Sequence, residues 1–142
     1  GSKRDMFGDE AKRRVMLGTY VLSAGHHDAY YTKAQQVRTL IKQDFDTVFQ
    51  NVDALIAPVS PTPPFKLNSK SSDPMQMYLS DILTVTINLA GVPSISIPGG
   101  FSSSKLPIGF QIIGPHLSEQ LLFQLGHAYQ QKTSWHTQNP AI

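Results

Sequence analysis

From Tyr30 to Val52 the apolar residues Tyr30, Ala34, Val37, Ile41, Phe45, Val48 and Val52 recur every three or four positions. Side chains at that spacing share one face of an α-helix. The stretch is therefore predicted as a long helix, beginning near Asp28, with one face to bury. Such a face needs an apolar surface to lie on, and three short runs downstream can supply it. Ala54-Leu55-Ile56-Ala57 reads as a buried strand closed by Pro58. Ser94-Ile95-Ser96-Ile97 alternates with the period of a strand, and Ile108 to Ile113 is a further strand candidate. The loop from Gly99 to Pro107 is long enough to join the last two as a hairpin.

The other elements follow from local signals. Gly8-Asp9 is a helix start, with Glu10 favourable near the positive helix end. Ala11, Val15, Gly18 and Leu22 then form one apolar stripe, and Gly25 is a natural stop. Pro58 to Pro64 holds four prolines in seven positions and must be extended. Asn68 to Ser72 reads as a polar turn. Asp73-Pro74 caps and opens a third helix, predicted to run unbroken towards Leu89 and stop at Gly91, although the β-branched cluster Val85-Thr86-Ile87 weakens its end. Ser118 opens a last helix with Leu121, Leu122, Leu125, Ala128 and Tyr129 inward. Helices interspersed with short buried strands make the class α/β, yet so few strands do not read as a self-sufficient sheet.

Composition narrows the functional classes. A length of 142 residues, 40% of them apolar, fits one ordinary globular domain. With no cysteine, disulfides and thiolate metal sites are excluded. No run approaches the roughly 18 apolar residues of a membrane span. The net charge of +2 is too small to argue for nucleic acid. Charge is also uneven: residues 1–50 hold eight of the 12 basic and six of the 10 acidic side chains. A free-standing domain coats itself more evenly, so either the later part lies against further protein or Ser, Thr, Gln and Asn keep it soluble.

No nucleophile elbow, zinc-binding helix, phosphate loop or dinucleotide fingerprint is present. The five histidines, His26, His27, His116, His127 and His136, lack metal-ligand spacing and are read as structural or solvated. Two residues stand out. Arg14 falls at the edge of the first helix's stripe and is expected to turn inward, where a guanidinium can grip a carboxylate through two hydrogen bonds. The bland reading is a snorkelling arginine at a core margin. Asp81 lies with Thr84 and Asn88 on a narrow polar seam of the otherwise apolar third helix. If that helix is buried on most sides, an ionised Asp81 needs a cation such as a substrate ammonium; otherwise the seam is a wet helix face. Together the two groups suit the two ends of an α-amino acid.

The stretches that carry these residues resemble a known family. Ala11 to Gly25, Asp28 to Tyr31, Lys33 to Ile41, Ala57 to Pro63, Asp73-Pro74 with Met77 to Asp81, Asn88 to Pro93 and Pro107 to Gly114 follow in order the pattern of amidase-signature enzymes. The last two motifs recur across that family, whereas the first two are particular to its glutamyl-tRNA(Gln)/aspartyl-tRNA(Asn) amidotransferase A subunits. The similarity runs to about Gln131. Three departures are visible: His26-His27 where two tyrosines are more frequent, Thr86 where proline is usual, and Gly99 where cysteine is common.

The resemblance implies an α/β/α fold with a mixed central sheet, of which residues 1–142 are expected to be an incomplete C-terminal portion of one amidase domain. It implies glutamine hydrolysis to glutamate and ammonia by a Ser–cis-Ser–Lys triad. That triad lies upstream of the matched stretches, so no catalytic residue is carried over and the chain alone is expected to be inactive. By the same likeness Arg14 holds the glutamine α-carboxylate and Asp81 its α-amino group. The implied partners are the B and C subunits of a heterotrimer, with tRNA bound mainly by the B subunit. No cofactor or metal is assigned to this chain; ATP and magnesium serve the whole complex. The setting is cytoplasmic, with no membrane. Two alternatives stay open: an amidase-signature hydrolase of small amides, and a non-catalytic interaction module.

Overall fold

The computed structural model describes residues 7–23, 27–67, 69 and 74–139. The Gly25 stop, His26, the Asp73 cap and all of the Asn68–Ser72 turn except Ser69 lie outside these residues. The chain divides into two compact units, Gly1–Leu40 and Ile41–Ile142.

In the first unit, helix α1 spans Asp9–Leu22 with Gly8 as its N-cap, as the sequence predicts. The expected inner stripe is not inside: no α1 residue is buried, and Val15 and Leu22 are 65% and 58% exposed. A π-helical turn, His27–Thr32, precedes helix α2, Lys33–Val48. The single helix expected from Asp28 therefore opens with a wider turn. Tyr30 on that turn lies 6.5 Å, ring to ring, from Tyr20 of α1.

The second unit begins inside α2. Its helix ends at Val48, short of the expected Val52, because Gln50 and Asn51 donate to carbonyls three residues back, at Thr47 and Val48. Phe49, which still donates to Phe45 O four residues back, stacks on the Phe45 ring at 6.2 Å as neighbours at that spacing do. Strand β1, Leu55–Pro58, pairs antiparallel with β3, Pro107–Ile113, which pairs antiparallel on its other side with β2, Ser94–Phe101. The sheet order is β1-β3-β2.

Successive side chains of a strand point to opposite faces, and β3 shows what this does. On one face Ile113 packs with Ile87, Ala90 and Val92, backed by Ile41, Phe45, Phe49, Leu55 and Ala57. On the other, Ile112 packs with Ile97 and Leu122, backed by Ile95, Phe110 and Tyr129. A helix after Pro74, α3, covers Pro74–Ser80; it is followed by α4, Ile82–Ala90, and near the C-terminus by α5, Glu119–Gln130. Helix α4 covers the first face and α5 the second. The result is the expected α/β class in helix–sheet–helix layers. The three strands among the described residues pair antiparallel throughout, so the expected mixed sheet is not seen in them.

Several expectations need correction. The third helix is two, α3 and α4, separated at Asp81, whose φ of −98° and ψ of 2° leave the helical region. Neither is buried on most sides, since Met75, Leu79, Ile82 and Val85 are all exposed and only Ile87 and Ala90 of α4 are buried. Strand β1 is only half covered, with Ile56 73% exposed. Strand β2 runs on to Phe101, so the hairpin loop shrinks to residues 102–106. The strand carries a bulge between Pro98 and Gly100 that leaves Gly99 as the extra residue, and Gly100 takes a φ of +139°. A Cβ at Gly99 would stand 2.8 Å from Phe110 Cδ1, so glycine at this departure from the family pattern lets the Phe110 ring lie close. On α5 the buried residues are Leu122 and Gly126, whereas Leu125 and Ala128 are exposed. Gly126 turns the helix, because its missing Cβ would lie 3.1 Å from Ile97 Cδ1.

Among the described glycines Gly114 leaves the least room: a Cβ there would meet Ser118 Oγ at 2.2 Å and Leu122 Cδ2 at 3.0 Å. Gly18, inside α1, has nothing within 4 Å. Opposite outcomes are therefore expected. Gly114→Ala lowers stability by about 1–3 kcal/mol through overpacking, while Gly18→Ala raises helix stability by about 0.5–1 kcal/mol. Urea midpoints for the first and far-ultraviolet circular dichroism for the second provide the check.

Candidate functional site

Arg14 stands on α1 in the first unit and Asp81 at the α3–α4 break in the second. Arg14 does not turn inward: its side chain is 60% exposed, and Nε donates to Glu10 Oε1 at 2.8 Å. Arg13 donates through Nη1 to the other oxygen of the same carboxylate. Glu10 thus gathers two guanidiniums on the outside of α1. The signal was in the sequence, because residues three and four apart on a helix are neighbours; Glu10 reads there only as a helix-start residue. Half-exposed ion pairs of this kind contribute about 0.3–0.5 kcal/mol each.

Asp81 is exposed, and among the described residues its carboxylate has no hydrogen-bond or ion-pair partner. As the N-cap of α4 it makes no side-chain cap. Its backbone carbonyl does the local work instead, accepting from Thr84 N at 2.9 Å, Val85 N at 3.0 Å and Thr84 Oγ1 at 3.0 Å. Asn88 Nδ2 in turn donates to Thr84 O at 3.0 Å. Two members of the polar seam are therefore spent on the helix itself, and Asp81 alone presents an unsatisfied ionisable group. The condition attached to it, burial on most sides, is not met in this chain, so its charge is carried by solvent.

What fixes the start of α4 is a residue that the sequence shows only as one polar letter in an apolar strand. Gln111 is 3% exposed. Its Nε2 donates to Leu83 O at 3.0 Å and to Pro58 O at 2.9 Å, and its Oε1 accepts from Ser94 Oγ at 3.2 Å. One buried amide thereby ties the first turn of α4 to the end of β1, where the proline-rich loop leaves the sheet, and to the first residue of β2. That loop, from Pro58 to Phe65, forms with Pro107, Ile108 and Gly109 a cleft of about 460 Å³. It is lined almost wholly by apolar groups and backbone; Ser60 and Thr62 are its polar side chains. Among the histidines, His116 Nδ1 lies 3.2 Å from Gly91 O, and His116, His127 and His136 are all exposed. Among the described residues no group of three His, Cys, Asp or Glu side chains is placed to hold a metal ion. No helix among the described residues is long and apolar enough to cross a membrane.

The pairing on α1 has a direct test. Glu10→Gln is expected to lower helix stability by under about 1 kcal/mol, with the difference shrinking in about 1 M salt as screening removes it. Thermal melts of both forms at low and high ionic strength measure it.

A family model described as Amidase matches residues 1–123. The A subunit of the glutamyl-tRNA(Gln) amidotransferase of Microcystis aeruginosa is 58% identical over 136 residues, covering 96% of this chain and 28% of that protein. The protein of the same name from Bacillus thuringiensis is 54% identical over 141 residues, covering 99% of this chain and 29% of its own length. The chain thus spans little more than a quarter of these relatives. Among solved structures, the A subunit of the Thermotoga maritima glutamyl-tRNA(Gln) amidotransferase superposes with a TM-score of 0.65 at 44% identity, over 82% of this chain and 25% of that one. The Kluyveromyces lactis allophanate hydrolase gives 0.66 at 27% identity, over 84% of this chain and 19% of that one.

Proposed function

The chain belongs to the amidase family, and from that premise we propose that it forms part of the A subunit of a tRNA-dependent amidotransferase. The observation that carries the reading is 58% identity to one such protein, extending over 96% of the chain. Identity falls to 27% for the allophanate hydrolase at a similar TM-score, which favours the amidotransferase over a hydrolase of other small amides. In this reading the complete A subunit hydrolyses glutamine and releases ammonia. The B subunit uses the ammonia to amidate glutamyl- or aspartyl-tRNA with ATP and magnesium, and the C subunit holds the pair. The tRNA rests mainly on the B subunit, and the complex works in the cytoplasm.

The task left to this chain is substrate recognition. Glutamine enters as a zwitterion, and neither of its charges takes part in amide cleavage. Holding both ends orients the side-chain amide towards the nucleophile, converting binding into positioning. Arg14 is assigned the α-carboxylate, which a guanidinium can take through two parallel hydrogen bonds. Asp81 is assigned the α-ammonium, and its carboxylate is available without breaking a bond among the described residues.

In the full-length protein, Arg14→Ala and Asp81→Ala are expected to raise the KM for glutamine by about tenfold or more, the effect of losing one charged hydrogen bond. Folding should be little changed, because both side chains are exposed. Steady-state glutaminase assays and melting temperatures measure the two effects. An unchanged KM in both variants would show the assignments to be wrong. Residues 1–142 alone are expected to release no ammonia from glutamine.

A further inference from the structure

We propose that Gln111 is a positioning residue for substrate recognition: its buried amide sets where Asp81 stands relative to the proline-rich cleft. The inference rests on the reading of Asp81 as the ammonium-binding group. Asp81 has no side-chain bond of its own to fix it; at the break between two short helices it is held through its backbone alone, its N–H donating to Tyr78 O at 3.1 Å and its carbonyl accepting from the turn that follows. The next turn is held from outside. Gln111 Nε2 grips Leu83 O at 3.0 Å, two residues beyond Asp81, and with its second hydrogen grips Pro58 O at 2.9 Å, at the root of the cleft loop. Ser94 Oγ closes the third bond to Oε1 at 3.2 Å, so the amide cannot rotate to serve only one partner. Thr84 and Val85 then pass the constraint back to Asp81 through its carbonyl, at 2.9 and 3.0 Å.

A group that acts this way affects only substrates that use Asp81. The test is made in the full-length protein with two substrates, glutamine and its analogue lacking the α-amino group. Asp81→Asn should raise KM for glutamine roughly tenfold and leave the analogue unaffected, as expected for one lost charged hydrogen bond. Gln111→Met, close in volume but without donors, should give the same selective loss with kcat changed less than about twofold, and the double variant should be no worse than Asp81→Asn alone. Ser94→Ala, which frees Oε1 while leaving both Nε2 bonds, should give a smaller loss in the same direction and keeps the inference testable if Gln111→Met does not fold. If Gln111→Met and Ser94→Ala weaken both substrates equally, Gln111 is merely structural and the inference is overturned. If Asp81→Asn itself fails to separate the two substrates, the reading of Asp81 falls and takes the inference with it.

Discussion

The second unit is organised round a single carboxamide. Gln111 stands in the middle of the central strand, buried on the face covered by α4, and spends both donors and one acceptor on three different elements. A buried amide without partners would cost several kcal/mol, and a satisfied one returns about 1 kcal/mol per bond. The asymmetry is what gives it authority: moving α4, β1 or β2 out of reach strands a polar atom of this group. Apolar contacts on the same face, from Ile87, Ala90, Val92 and Ile113, supply most of the driving force but are far less particular about register.

The order in this unit is legible in the sequence wherever a short-range period governs it. The strands at Leu55, Ser94 and Ile108, the stop at Gly91 and the helix after Ser118 all lie where alternation and capping place them. What local patterns do not reveal is what three-dimensional approach decides. The face that α5 buries depends on Gly126 meeting Ile97, which rotates Leu125 and Ala128 out. The helix break at Asp81 stays hidden because aspartate is tolerable inside a helix and unremarkable as a cap. The bulge at Pro98 to Gly100 looks like a loop until β3 is known to run beside it.

For the candidate site the sequence names two residues and misses what holds them. The angle of Arg14 on the helix wheel points inward, yet Glu10 one turn earlier draws the side chain along the surface. Periodicity gives the direction of a Cβ, whereas a long guanidinium stem follows the nearest carboxylate. Asp81 stands out in the sequence on a premise of burial that does not hold. What distinguishes it is an unspent carboxylate where its neighbours Thr84 and Asn88 are spent on the backbone. Gln111 shows most clearly what periodicity leaves out. Its partners are 17, 28 and 53 positions away, so no window of local sequence contains the reason for a glutamine in that strand.

The account depends on that amide being locked rather than merely enclosed. Solvent exchange of the two Gln111 side-chain amide protons, followed by nitrogen-15 magnetic resonance, reports this directly. Both protons should be protected alongside the backbone amides of β3, with two separate and widely spaced proton shifts. Exchange as fast as that of a surface glutamine would contradict it.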